Sequence, residues 1–124
     1  MKQVNIYVRG ICINTGESGE LRKGKYIALL EYNNRHKQIT GGELNTTPNR
    51  MILKAILEGL KLLKEGCIVN VYAPTQKLGF NIKSSPNRDL IDQILDNVKS
   101  KGHIYNEIES RKHQDYLIKE LRKL

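Results

Sequence analysis

The sequence predicts an α/β domain: one mixed sheet of about five strands, beginning with a three-stranded antiparallel meander and flanked by helices. Three apolar segments of strand length come first, separated by turn-forming residues. Segments with helical periodicity then alternate with single strands, which is typical of parallel βαβ units. The predicted element order is β-β-β-α-β-α-β-α. A chain of 124 residues without a linker-like tract is expected to form a single domain, 1–124.

The three strands of the predicted meander are short runs of apolar residues. Asn5–Val8 forms the first strand, which is expected to end at Arg9-Gly10. Lys25–Tyr32 ("KYIALLEY") forms the second, and "HKQITGGE" follows as the returning strand. Asn33–Arg35 joins the last two strands, because asparagine tolerates the left-handed conformations that tight turns need. The first third of the chain therefore predicts an antiparallel sheet.

The clearest predicted helix follows this meander. Thr47 is a suitable N-cap, and Pro48 suits the first helical position. Gly66 is placed to end the helix in a left-handed cap. The apolar face of the helix consists of residues spaced three or four apart, namely Met51, Ile52, Ala55, Ile56, Leu60 and Leu63.

Two further strands and two further helices complete the pattern. Cys67–Tyr72 is the next strand, "SSPNRD" begins the second long helix, and Gly102 ends it. "HIYNEIE" predicts the last strand, Lys112–Leu124 predicts a closing helix, and Thr75–Ile82 predicts a short additional one. The apolar positions of the second long helix are Leu90, Ile91, Ile94, Leu95 and Val98.

The charge balance favours a polyanionic partner. Lysine and arginine number 21 and aspartate and glutamate 13, so the formal net charge is 21 − 13 = +8. Nucleic acid is the commonest partner of a small basic domain, although such a charge also serves solubility alone. Tryptophan is absent and there is one phenylalanine, so we do not expect an interface made of many aromatic stacking residues.

The cysteines indicate a reducing compartment. Cys12 and Cys67 lie in apolar strand contexts without a neighbouring cysteine or histidine at zinc-ligand spacing, so both are expected to be small buried hydrophobes. The N-terminus lacks the apolar stretch of a signal peptide, and no segment approaches 18 apolar residues. We therefore expect a cytoplasmic protein without a membrane partner.

Three segments carry a resemblance to a known family. "IYVRGICINTG", "GGELNTTPNRMIL" and "VYAPTQKLG" resemble landmark segments of the ribonuclease H family, in an element order that matches over nearly the whole chain. In that family the first strand ends in Asp-Gly, the first helix begins with a Thr-Thr-Asn-Asn-Arg-Met-Glu-like sequence, and the fourth strand ends in Thr-Asp-Ser/Ala. The resemblance implies a ribonuclease H-like fold.

The resemblance also implies a chemistry, in which four carboxylates hold two magnesium ions that hydrolyse the RNA strand of an RNA–DNA hybrid. Three of those positions hold Arg9, Ile52 and Pro74 here, and the fourth is matched loosely by Asp115. Isoleucine and proline offer no ligand to magnesium, and arginine repels it. We therefore expect no catalytic residues, no metal and no cofactor. The acids that could rebuild such a site elsewhere are Glu31, Glu43, Glu58, Asp89 and Asp92.

Positions that contact nucleic acid in the family are better preserved. A guanidinium at Arg9 can additionally bind a phosphate where metal would have held it. Each position has a structural alternative: Thr47 as an N-cap only, Cys12 as a core residue, and Arg9 as the ion-pair partner of Asp115. The predicted nucleic-acid-binding residues are Arg9, Cys12, Asn14, Thr47, Asn49 and Gln76.

Three functional hypotheses follow from these residues. The first is a catalytically inactive ribonuclease H-like domain that binds nucleic acid, as RNA–DNA hybrid or double-stranded RNA, without metal-dependent cleavage. The second is a scaffold on the same fold whose partner is another protein. The third is a ribonuclease H-type endonuclease with a rebuilt metal site.

Overall fold

The computed structural model describes residues 1–13 and 22–124. Its elements confirm the predicted order. They are β1 (Lys2–Ile13), β2 (Lys23–Tyr32), β3 (Arg35–Leu44), α1 (Pro48–Lys61), β4 (Cys67–Ala73), α2 (Arg88–Lys101), β5 (Ile104–Glu109) and α3 (Gln114–Leu121).

The five strands form one mixed sheet in the order β3-β2-β1-β4-β5. The meander pairs β1 with β2 and β2 with β3 in antiparallel fashion, whereas β4 is parallel to both β1 and β5. Asn33 and Asn34 both have positive φ in the β2–β3 turn, as the sequence predicted. The predicted fold class is thereby confirmed.

Helices cover the two faces of the sheet unequally. Ile6 and Val8 of β1 face the larger core, where α1 and α2 pack. Tyr7, between them, faces the other side and joins a smaller cluster with Leu117 and Leu121 of α3. This alternation follows from the two-residue period of a strand, and it directs the next odd-numbered side chain, Arg9, towards α3.

A close contact positions α1 against the sheet. A Cβ atom added to Gly10 would lie 2.6 Å from the Cβ of Met51 and 2.7 Å from the carbonyl oxygen of Pro48. Only glycine therefore lets the first turn of α1 approach β1 so closely. The contact brings the beginning of α1 to the residue next to Arg9.

Several predicted boundaries were wrong. β1 does not end at Arg9-Gly10 but continues to Ile13, because Arg9 and Gly10 pair with Ile27 and Tyr26 of β2. α1 ends at Lys61 with Leu62 as its C-cap, so Gly66 does not close it. A Cβ on Gly66 would instead lie 2.9 Å from the Lys101 carbonyl oxygen, and close packing explains this glycine. Residues 75–82 form turns and no helix. Leu95 is 42% exposed and does not belong to the core. Among the helices described, none is both long and apolar enough to cross a membrane.

Candidate functional site

Arg9 lies half-buried between β1 and α3, and a neutral residue is its hydrogen-bond partner. Its Nη1 donates to Oε1 of Gln114 at 3.3 Å. Its Nε is buried and has no hydrogen-bond partner within residues 1–13 and 22–124. Burial, and then the positive charge of Arg111, lower the pKa of Arg9. Arg9 therefore carries a charge that no carboxylate neutralises in the described part of the chain.

Gln114 fixes the geometry around Arg9. This first residue of α3 is only 3% exposed, and its Nε2 donates to the Val8 carbonyl oxygen at 3.2 Å. Because that bond uses the amide nitrogen, the amide oxygen is directed at Arg9. The sequence analysis missed Gln114, although its spacing to the buried residues Leu117 and Leu121 places it on the apolar face of α3.

Asp115 does not have the predicted place beside Arg9. It is exposed in the first turn of α3, and the structure shows no ion pair between these two described residues. The alternative in which Arg9 pairs with Asp115 is therefore wrong. In the first turn of α3, the side-chain amide of Gln114 faces β1, whereas the adjacent Asp115 carboxylate is exposed to solvent.

An aromatic cluster that the sequence did not predict lies two residues from Arg9. The rings of Tyr7 and Tyr72 stack with centroids 4.8 Å apart, and His113 packs edge-on against Tyr7 at 4.5 Å. The Nζ of Lys112 lies 5.7 Å from the Tyr7 centroid. His113 has a positive φ of 65° as the residue preceding α3. The loop before α3 thus places Lys112 and His113 against Tyr7, the neighbour of Arg9 on this face of the sheet.

The remaining metal positions of the family are unsuited to magnesium. Ile52 is 4% exposed and belongs to the large core, and Pro74 directly follows β4. With a guanidinium at Arg9, the three positions offer neither an oxygen ligand nor a negative charge. Within the described residues, no group of three or more histidine, cysteine or acidic side chains could hold a metal. The residues present do not fit the two-magnesium site of the family.

The acids considered as replacement ligands are already engaged. Glu31 bonds to Asn5 and His36, and Glu58 pairs with Lys54 and Lys61. The other three acids pair with arginines, as Glu43–Arg50, Asp89–Arg50 and Asp92–Arg88. Each acid thus has a polar or cationic partner, and the two that approach each other, Glu43 and Asp89, do so around the guanidinium of Arg50 rather than around a site for a metal ion.

Arg50 is the centre of the strongest of these ion pairs. Its Nη1 and Nη2 donate to the two carboxylate oxygens of Asp89 at 2.9 and 2.8 Å, and its Nε donates to Glu43 at 3.4 Å. The bidentate contact lowers the pKa of Asp89 to about 2. Arg50 therefore links α1 to α2 and to β3.

Of the other predicted nucleic-acid-binding residues, some have structural contacts and others line a cavity. The Thr47 hydroxyl accepts from the Arg50 N–H at 3.2 Å, which confirms it as the N-cap. Cys12 is half-buried, with its Sγ 3.6 Å from the Thr46 carbonyl oxygen. Asn49 and Gln76 line one cavity of about 770 Å³. Asn14 lies outside the described residues.

The sheet order and the helices on both faces define a domain of ribonuclease H-like fold. Among solved structures, it superimposes with a TM-score of 0.73 on "LC9-RNase H1, a type 1 RNase H with the type 2 active-site motif", at 17% identity, covering 98% of this chain and 71% of that one. It also resembles RNase H1 from Halobacterium salinarum, with a TM-score of 0.68 and 11% identity over 96% of this chain and 93% of that one.

Sequence relatives establish the family. No family model matches the chain. It is 38% identical over 130 residues to the ribonuclease H of Caldanaerobacter subterraneus, which covers 90% of this chain and 80% of that relative. It is 51% identical over 73 residues to the ribonuclease H of Caldicellulosiruptor saccharolyticus, which covers 58% of this chain and 46% of the relative. The chain belongs to the ribonuclease H family.

Proposed function

We propose that this ribonuclease H-family domain binds nucleic acid, as RNA–DNA hybrid or double-stranded RNA, without metal-dependent cleavage. The observation that carries the proposal is Arg9: among residues 1–13 and 22–124, its buried Nε has no partner and its guanidinium has only a neutral amide as a hydrogen-bond partner. The guanidinium is half-buried as a whole, and its other N–H groups can bind a phosphate through directional, charge-assisted hydrogen bonds.

Charge supports binding and opposes metal catalysis at the same place. Arg111 adds to the positive potential at Arg9, and Lys112 lies over the neighbouring Tyr7 ring. A magnesium ion about 4 Å from the guanidinium would be repelled by about 8 kcal/mol at an effective dielectric constant of about 20. The same field attracts a polyanion and speeds its association.

The start of α1 supplies a second feature suited to phosphate. A helix N-terminus presents unpaired N–H groups and the positive end of the helix dipole. Gly10 brings this turn against β1, at the residue next to Arg9. The net charge of +8 agrees with a polyanionic partner.

Binding and cleavage can be tested in one titration series. Labelled RNA–DNA hybrid, duplex RNA, duplex DNA and single strands are titrated by fluorescence anisotropy, with magnesium and with chelator, at several salt concentrations. Each probe is then run on a denaturing gel. We expect salt-dependent binding that magnesium does not change, with every probe intact.

Arg9→Met is the informative variant, and Arg35→Met is its matched control. Both remove one positive charge, but Arg35 is an exposed residue at the start of β3. Arg9→Met should weaken binding about tenfold or more and reduce the slope of log K against log salt by about 1. The control should change binding much less.

Two results would contradict the proposal. Magnesium-dependent cleavage of the hybrid that is lost in Asp115→Asn would establish the rebuilt endonuclease. Failure of every probe to bind at low salt would reject nucleic-acid binding, and the search would turn to the protein-scaffold hypothesis.

A further inference from the structure

A second site lies on the face of the sheet opposite to Arg9. The cavity of about 770 Å³ is formed by the start of α1, the segment 76–87 and β5. Its position follows from strand alternation, since Tyr105 packs against the α1–α2 core and Glu107, two residues later, points to the same face. The volume is within the range of about 300–1,000 Å³ that is usual for small-molecule sites.

The wall of this cavity is held in place by hydrogen bonds. Arg88 Nη1 donates to the Phe80 carbonyl oxygen at 3.1 Å, and Asn49 Nδ2 donates to the Lys77 carbonyl oxygen at 3.1 Å. Leu78 is buried beneath the segment, and the Phe80 ring lies 6.2 Å from that of Tyr105. The cavity therefore exists before any ligand arrives, with an aromatic ring in its lining.

Glu107 is the acidic residue that lines the cavity. Its hydrogen-bond partner is the Tyr105 hydroxyl, which lies 3.5 Å from Oε2. It forms no ion pair within the described ranges, and burial raises the pKa of its carboxyl. A half-buried carboxylate with so weak a partner has acceptor capacity left for a ligand that brings N–H donors.

We propose that this cavity binds a guanine base, with the Glu107 carboxylate accepting from N1–H and N2–H and with Phe80 packing against the ring. Guanine is the natural base that presents two adjacent N–H donors on its Watson–Crick edge, which matches the two oxygens of a carboxylate. Adenine, cytosine and uracil each place an acceptor where one of those donors would be. The proposal rests on the proposed nucleic-acid binding, because the expected ligand is an unpaired base in an overhang or loop that adjoins the bound duplex.

The cavity is tested with mononucleotides rather than with a duplex. GMP, IMP, AMP, CMP and UMP are titrated by NMR up to about 10 mM, a range that suits millimolar affinity. The Arg9→Met background is used so that the ligand phosphate cannot bind at Arg9. GMP should bind about tenfold tighter than IMP, which lacks the N2 amino group and hence one hydrogen bond to a charged acceptor. Its affinity should fall as the pH drops through the raised pKa of Glu107.

Variants then assign the preference to Glu107. Glu107→Gln should abolish the preference for GMP over IMP, because an amide replaces one acceptor oxygen with a donor. Glu109→Gln is the matched control, since Glu109 is on the same strand but does not line the cavity. Phe80→Leu should weaken all five nucleotides alike. Far-UV circular dichroism verifies that each variant is folded.

The outcomes separate this proposal from the preceding one. Equal affinity for all nucleotides, no binding at about 10 mM, or a GMP preference that survives Glu107→Gln would each overturn the guanine site. Because these titrations use Arg9→Met, they do not depend on phosphate binding at Arg9. A negative result with duplex probes would leave a GMP preference standing as a nucleotide site.

Discussion

Replacing Arg9 with methionine should stabilise the fold while it weakens nucleic-acid binding. Methionine retains the unbranched stem that packs between β1 and α3, and it removes the buried Nε that has no partner in the described structure. An unsatisfied buried donor costs about 1–3 kcal/mol. A functional cation placed here is therefore expected to lower stability.

The expected gain follows from two opposing contributions. Removing the unpaired Nε gains about 1–3 kcal/mol, whereas the loss of the 3.3 Å bond leaves the buried Gln114 Oε1 without its donor and costs about 1–3 kcal/mol. These two contributions largely cancel, so removal of the half-buried charge, which burial and Arg111 both disfavour, decides the sign, and the net stabilisation of Arg9→Met is about 1 kcal/mol. In a domain of 124 residues, this corresponds to an increase in Tm of about 4 °C.

Urea unfolding followed by circular dichroism at pH 7 measures the change. The midpoint should rise without a change in the m-value, which depends on the surface exposed on unfolding. Arg35→Met should leave stability within about 0.5 kcal/mol of the parent, as expected for an exposed position. A loss of 1 kcal/mol or more in Arg9→Met would refute the reasoning, because Arg9 would then be a stabilising residue rather than a cation kept for an anionic ligand.

Three other perturbations test the scaffold, each by urea unfolding. Asp89→Asn should cost about 1 kcal/mol at pH 7, a value reduced because the side chain is 54% exposed. Since the folded-state pKa of Asp89 is lowered from 3.8 to about 2, this difference should persist above pH 3.8 and disappear as the pH falls through about 2. Gly10→Ala should cost about 1–3 kcal/mol or more, because the added Cβ would overlap the first turn of α1. Burial, and to a smaller extent the charge of Lys101, lowers the pKa of His103, whose Nδ1 accepts a hydrogen bond from the Cys67 N–H. As the pH falls, the unfolded chain therefore binds a proton at His103 at a higher pH than the folded protein does. Stability should then decrease as the pH falls below 6.5, and His103→Gln should lose this dependence.

The sequence predicted features that depend on local chemistry. Thr47, Gly102 and the two asparagines of the β2–β3 turn have the conformations that their residue types favour. Gly66 was misread because a glycine near a helix end also permits close packing between distant segments, here against the Lys101 carbonyl. That contact depends on tertiary structure, which a local pattern does not contain.

The site was predicted less completely, for a similar reason. The elements that carry Arg9, Ile52 and Pro74 were predicted from the sequence, and these residues lie in β1, in α1 and directly after β4. The partner of Arg9 depended on the rotation of α3 about its axis. A rotation of α3 by one residue would turn Asp115 instead of Gln114 towards β1. The loop before α3 aligns only loosely with the family, so the sequence did not determine this rotation.

The choice of Gln114 over Asp115 also bears on what Arg9 can do. A carboxylate at this position would neutralise the guanidinium, and a phosphate would then have to displace an ion pair before it could bind. The amide instead anchors itself on the Val8 carbonyl and offers Arg9 a neutral acceptor, so the positive charge is held in place without being cancelled. The family resemblance implies that Arg9 stands at a metal-binding carboxylate position, and a neutral neighbour of this kind leaves its positive charge available to an anion. The pairing of Arg9 with Gln114 is thus the feature that makes the proposed binding without metal chemically consistent.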